Sequence, residues 1–411
     1  MAETRRVYLD HAATTPVHPE VVKIMDYYML EAFGNPSSIH SLGREARKGV
    51  EEAREQVAAL MGATANEIVF TAGGTEADNL AIQGVAYGRR DVGNHIITSA
   101  IEHHAILHTC QHLEKEGYKV TYLPVDKHGM VDPDDVKKAL TPQTILVTIM
   151  AANNEVGTIQ PSAVIGRVVK EHGQAYYHMD AVQTYGNWPV NVNDLHVDLL
   201  TVSSHKIYGP KGVGALYLRK GVKLVPIVFG GSHERKRRAG TENVPGIVGF
   251  GKAAEIARET LDQRIAHNTA LRDRLISGLL SPIDYAHLNG HPTQRLPNNV
   301  NISIEFVEGE SMLLNLDMKG IAASSGSACT SGSLEPSHVL LAMGLPHELA
   351  HGSLRMTVGT DNNMEDMEHV IATLPDIVRR LRQMSPLYAD KIKGHAAAPL
   401  TPAGEEHPHD V

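Results

Sequence analysis

The sequence predicts an α/β protein, with a large domain around a mostly parallel seven-stranded sheet and a smaller α+β domain after it. Two observations carry that expectation. Between about residues 64 and 220, short apolar runs alternate with helical patterns. After about residue 245 the pattern changes to a long charged helical stretch and isolated strand-like segments. The length, 411 residues, allows roughly two to three domains at about 150 residues each.

Taken in order, residues 43–61 read as an amphipathic helix with Val50, Ala53, Val57 and Leu60 on one stripe. Seven apolar runs follow, at 67–71, 95–98, 119–123, 144–150, 175–179, 199–202 and 213–218. Helical stretches at 75–85, 105–116 and 162–172 lie between them. This alternation implies βαβ units and a sheet covered on both faces. Residues 251–280 read as a bridging helix, 299–306 as a half-exposed antiparallel strand, 354–358 as a short strand and 365–384 as a terminal helix. The tail from about 393, rich in Ala, Pro, His and acid, is expected to fray. The expected division is a large domain at 15–260, a small domain from 1–14 plus 261–388, and a flexible tail at 389–411.

Composition narrows the function. Apolar residues are 42% and charged residues 21%, which fits a globular chain and not a disordered one. The formal net charge of −9 argues against a general nucleic-acid binder. Two cysteines cannot staple a chain of this length, so a reducing compartment is expected. The first ten residues lack the apolar core of a signal peptide, and no run is long and apolar enough to span a bilayer. The expected location is the cytoplasm, with no membrane association.

In α/β sheets, ligands sit beyond the carboxyl ends of the strands. The first run is followed by Ala72-Gly73-Gly74-Thr75-Glu76, a plausible phosphate cradle at a helix start, with a plain tight turn as the alternative. Later runs are followed by Glu102-His103-His104, Asn153-Asn154-Glu155, Asp180-Ala181-Val182-Gln183 and Ser203-Ser204-His205-Lys206. Each alone could be an ordinary loop residue; together they point to a site. A strand-end Lys can form a Schiff base, an Asp can hold a pyridinium nitrogen protonated, and a cradle can take a phosphate. These are the demands of pyridoxal 5'-phosphate (PLP). His103 suits the face of its ring and the movement of protons.

At that point the chain resembles the cysteine desulfurases of the NifS/IscS type, which are fold-type I PLP enzymes. The motifs are YLDHAATTP at 8–16, FGNPSSIH at 33–40, TAGGTEADN at 71–79, IEHHAIL at 101–107, NNEVGT at 153–158, HMDAVQ at 178–183, SSHKIYGPKG at 203–212, RRAGTEN at 237–243 and SSGSACTSGSLEPSHVL at 324–340. The resemblance covers about residues 7–388. It implies that Lys206 carries the cofactor, Asp180 pairs with the pyridine nitrogen, and His103 stacks on the ring. It places Gln183 and Asn154 near the ring hydroxyl, and Gly74, Thr75, Ser203 and His205 at the phosphate. It further implies that Thr241 reaches the phosphate of a neighbouring subunit in a homodimer, and that Arg355 and Asn35 hold the carboxylate of L-cysteine.

Cys329 lies among small and polar residues with two glycines, the composition of a mobile surface loop. From composition alone an incidental thiol is as plausible as a nucleophile. The resemblance makes Cys329 the persulfide carrier, which takes sulfur from L-cysteine, leaves L-alanine and passes the sulfur to an iron–sulfur scaffold or another acceptor protein. Nitrogenase-type and general iron–sulfur assembly are both open. Cys110, in a helical stretch, reads as a packing residue.

Competing readings are weaker. His347-Glu348-Leu349-Ala350-His351 spells H-E-x-x-H, but Pro346 and Gly352 bound it too closely for a zinc-protease helix. His104, His108 and His112 share a helical face without a carboxylate or cysteine ligand at suitable spacing. On the same scaffold, the alternatives are a class-V aminotransferase, which Cys329 argues against, and a selenocysteine lyase. A protein that only scaffolds cluster assembly would not need the set Lys206, Asp180, His103 and Cys329.

Overall fold

A computed structural model describes residues 5–231, 233–325, 335–392 and 394. Cys329 and the tail from residue 395 onward lie outside the described residues. The chain enters through a two-residue strand, β1 (Val7–Tyr8). It then builds a seven-stranded sheet from β2 (Ile68–Thr71), β3 (His95–Ser99), β4 (Lys119–Leu123), β5 (Thr144–Thr148), β6 (Tyr176–Asp180), β7 (Leu199–Ser203) and β8 (Gly214–Leu218). The spatial order is β2-β8-β7-β6-β5-β3-β4. The β8 strand runs antiparallel to both its neighbours, and the other pairs are parallel.

Successive residues of a strand face opposite sides, and both sides are apolar here. Ile68, Phe70, Ile97, Val147, Leu200 and Val202 feed one core, with helices Ser41–Leu60 and Ser162–His172 packed over it. Val69, Ile96, Ile145, Leu199, Leu216 and Leu218 feed the other, under helices Gly74–Gly88 and His104–Lys115. Double coverage is what makes parallel strands read as continuous apolar runs. Each of the seven expected strands is present within one or two residues.

The remaining strands are β9 (Ala286–Leu288), β10 (Asn299–Ile304), β11 (Ile321–Ala322) and β12 (Ser353–Thr357). The order β12-β10-β9 forms an antiparallel sheet, and β1 pairs in parallel with β11. Val7, Leu9, Val300, Ile302, Leu354, Met356, Val370 and Leu374 form a separate core.

Two sequence expectations need correction. The bridging helix is Val244–Leu280, starting seven residues before the expected 251 and running 37 residues, about 55 Å. Its early glycines argue against helix by propensity, yet they permit close packing. A Cβ on Gly251 would stand 2.5 Å from Ala53 Cα on the neighbouring helix. Strand β10 is antiparallel as expected, but every residue in it is buried, not half of them. Its polar face is covered by the large unit. Asn299 and Asn301 each donate through Nδ2 to Glu155 O at 3.0 Å. Asn289 Nδ2 donates to Asn301 Oδ1 and Ser303 Oγ at 2.8 Å each. Polar side chains are tolerated inside when satisfied this way. Among the described residues, no helix is long and apolar enough to cross a membrane.

Candidate active site

The candidate site lies at the carboxyl ends of the sheet strands. After β2, the chain turns through Ala72 and Gly73 into helix Gly74–Gly88. The turn lies so close to β8 that a Cβ on Gly214 would come within 2.7 Å of Gly73 C. Glu76 braces it, accepting from Ala72 N at 3.1 Å and from Arg238 Nε at 2.8 Å. A cavity of about 800 Å³ opens here, lined among others by Gly74, Thr75, Ser203, His205 and Lys211. Ser203 Oγ is buried without a hydrogen-bond partner among the described residues. A lone buried hydroxyl costs free energy unless a ligand completes it. With the helix start and Lys211, it fits an anion of phosphate type.

Lys206 sits in the short turn after β7. Its Nζ donates to Ala12 O at 2.5 Å and Ala13 O at 2.7 Å. Gln183 Nε2 reaches the same Ala12 carbonyl at 3.1 Å. Asp180 ends β6 and accepts from Val182 N at 2.9 Å. Burial pushes its carboxyl above the usual range, and the Val182 N–H and the Lys206 ammonium oppose the shift. Behind it, burial and the Asp180 charge also raise Asp78.

His103 caps helix His104–Lys115 by accepting from Ala105 N at Nδ1, 3.2 Å. The neutral ring therefore carries its proton on Nε2. Burial, then the Lys206 charge, lowers His103 to about 4. His205 bonds Thr14 Oγ1 through Nδ1 at 3.1 Å, and burial lowers it to about 4 as well.

Arg355 comes from β12 and is 3% exposed. Its Nη2 donates to Asp10 Oδ1 at 3.0 Å and its Nη1 to Asn154 O at 3.2 Å, while Nε is buried without a partner among the described residues. The guanidinium thus joins the small sheet to the loop after β5. A carboxylate is the kind of acceptor that would satisfy this Nε.

Gly74, Thr75, Ser203 and His205 line the cavity. Lys206 shares the Ala12 carbonyl with Gln183 and acts by charge on Asp180 and His103, and Asn154 and Arg355 meet through a hydrogen bond. Asn35 and Thr241 are different. Asn35 is exposed and accepts from Ser37 N at 2.9 Å within its own loop. Thr241 is exposed beside Glu242, which is held by Arg47 through two bonds of 2.8 Å. Cys110 is buried in a core, and burial pushes its thiol up to about 12. The H-E-x-x-H segment is a single helix, His347–His351. The His104 and His108 rings lie tilted with centroids 5.0 Å apart, whereas His112 lies 3.2 Å from Glu116. Among the described residues, no group of three or more His, Cys, Asp or Glu is arranged to hold a metal.

Sequence reasoning missed the Ala12 and Ala13 carbonyls, since backbone acceptors leave no mark in residue type. It quoted Glu102, Glu155 and Ser337 within motifs but gave them no role.

This donor set suits PLP: an incomplete anion cradle lies in the cavity, and an amine acts by charge on a buried carboxylate and a stackable imidazole at the same strand ends. Residues 7–370 match the family Aminotransferase class-V. The chain is 58% identical to "Cysteine desulfurase IscS" of Methanosarcina thermophila, over 94% of this chain and 95% of that one. It is 55% identical to the protein of the same name from Dictyoglomus turgidum, over 93% and 97%. A solved "NIFS-LIKE PROTEIN" superposes with a TM-score of 0.87 at 40% identity, over 92% of this chain and all of that one. Another, "SspA in complex with cysteine", gives 0.77 at 36% identity, over 86% and 99%. The chain therefore belongs to the class-V aminotransferase family, whose scaffold is built for PLP chemistry. Within that family it is a cysteine desulfurase, with L-cysteine as substrate.

Proposed function

We propose that Cys329 is the residue that takes sulfur from L-cysteine, and that the rim of the large sheet holds PLP for that purpose. The supporting observation is the unsatisfied Ser203 hydroxyl in the cavity at the strand ends, with Lys206 three residues on and acting by charge on the buried Asp180. In this reading Lys206 bonds the cofactor and Asp180 keeps the pyridine nitrogen protonated. His103 covers the ring, and Gln183 and Asn154 attend its hydroxyl. Gly74, Thr75, Ser203 and His205 hold the phosphate. Arg355 and Asn35 take the substrate carboxylate. Bound PLP supplies an electron sink for the substrate Cα.

The protein's own groups do the rest. Lys206 Nζ, oriented by the Ala12 and Ala13 carbonyls, removes the Cα proton. His103 keeps its neutral form and its Nε2–H stands as a hydrogen-bond donor to the departing product. The Cys329 thiolate attacks the substrate sulfur. The carbon–sulfur bond breaks as the sulfur–sulfur bond forms, and a proton goes to the substrate Cβ. L-Cysteine and a thiol thus become L-alanine and a persulfide, with atoms and electrons balanced.

We further propose a homodimer in which Thr241 completes the partner's phosphate site; its exposure in the single chain supports this. The division into 15–260 and 1–14 plus 261–388 is supported by the separate apolar cores. The acceptor is proposed to be an iron–sulfur scaffold or another sulfur-accepting protein in the cytoplasm, as the resemblance to the NifS/IscS type implies. Mass spectrometry after turnover of L-cysteine tests the central assignment. One added sulfur on Cys329 is expected, and sulfur only on Cys110 would overturn it.

A further inference from the structure

The segment holding Cys329 emerges between two described residues, Ser324 and Ser337, and each has a distinct tether. On the near side, Ser324 and Arg355 exchange backbone hydrogen bonds, Ser324 N to Arg355 O at 3.0 Å and Arg355 N to Ser324 O at 2.7 Å. On the far side, Ser337 Oγ donates to Glu155 Oε2 and accepts from Val339 N at 3.2 Å and Leu340 N at 3.3 Å. Glu155 is 5% exposed, in the loop after β5. Its own N–H donates to Asn153 Oδ1 at 2.8 Å, and its carbonyl takes Asn299 and Asn301. The preceding carbonyl, Asn154 O, accepts from Arg355.

A buried carboxylate is costly unless its bonds repay the desolvation. Among the described residues, the only side chain bonded to the Glu155 carboxylate is Ser337. Its backbone is pinned by three asparagines, so the carboxylate has one position from which to hold that hydroxyl. Arg355 is the charged group that acts on it from the facing sheet.

We propose that Glu155 is a positioning residue that ties the far stem of the Cys329 segment, through Ser337, to the loop that also holds Arg355. Both stems are then referred to the group that grips the substrate carboxylate. Ser324 is tied by the β12 backbone, and Ser337 by the path Asn154–Glu155. Docking a substrate carboxylate on Arg355 changes the field at Glu155, and the contact that feels it is Ser337. The inference rests on the reading of Cys329 as the sulfur acceptor.

The test follows two phases in the PLP-loaded enzyme after mixing with L-cysteine: the change in cofactor absorbance, and persulfide on Cys329 by quenched mass spectrometry. Ser337→Ala is expected to slow the second phase about tenfold while the first stays within about twofold, because the charge-assisted bond to Glu155 and the cap on Val339 N and Leu340 N are lost away from the cofactor. Ser337→Thr, which keeps the hydroxyl, is expected to restore it. Glu155→Gln is expected to slow the second phase by a smaller factor. Wild-type second phases in both Ser337→Ala and Glu155→Gln would overturn the proposal. So would an equal loss in both phases that tracks a fall in thermal midpoint, since that marks a merely structural role. Cys329→Ser separates the two claims. Persulfide-dependent alanine release surviving in it sinks the Cys329 reading itself, whereas its loss beside an unaffected Ser337→Ala sinks only the role of Glu155.

Discussion

The rim of the seven-stranded sheet and the face of the small sheet deliver chemical groups in opposite ways. On the rim, Asp180, Ser203 and Lys206 each hang from, or directly follow, the end of a strand whose neighbours are buried on both faces. Their positions follow from one rigid layer. Arg355 comes from another layer, and its guanidinium is placed by Asp10 and Asn154 across a seam of buried amides. The groups assigned to the cofactor thus belong to a single core, whereas the group assigned to the substrate depends on how two cores meet. Errors within the rim should abolish chemistry. Errors in the seam should shift affinity and timing.

The largest expected effect is on the rim. Lys206→Ala should remove the visible cofactor band and cut turnover by about a hundredfold to ten-thousandfold, the usual reach of a positioned proton-transfer group. Absorbance and alanine release measure it. A variant that keeps both would end the distinction at its strongest point. Next comes the seam. Asn301 pairs in register with Arg355, and its amide bridges Asn289 and the Glu155 carbonyl. Asn301→Val should cost about 1 kcal/mol, because each orphaned partner retains another bond. It should raise KM for L-cysteine more than it lowers kcat, which steady-state kinetics will report.

The smallest effect concerns protons at the rim. His103 is lowered to about 4 and His178, beneath the site, to about 3. Between about pH 6.5 and those values, the unfolded imidazoles bind protons that the folded ones refuse, so their contribution to stability declines as pH falls through that window. In the cofactor-free protein, the His103 ring resonance should show no titration between about pH 5.5 and 8. A midpoint near the ordinary value would mean that the rim is wetter than its packing indicates.

The same contrast explains what could be read from residues alone. The seven strands were legible because double coverage turns each into an apolar run, and the rim residues because strand ends concentrate polar types. Strand β10 misled because alternation normally signals water on one side, and here the polar side meets another protein surface. The start of the long helix was hidden because Gly246, Gly249 and Gly251 weaken helix locally, while tertiary neighbours leave no room for a Cβ at Gly249 and Gly251. Glu155 and Ser337 stand 182 positions apart, and no local pattern could join them.

One consequence belongs to the helix Val244–Leu280. Phe250 and Ala254 plug the first core, and Leu271, Leu275 and Leu279 plug the other. The two bodies therefore share a girder in place of a joint. A cut near residue 260 would leave each core its own part of that helix, but it would strand Val7 and Leu9 of the small core on the other piece. Any rocking of the small body against the large one has to flex that girder along its length.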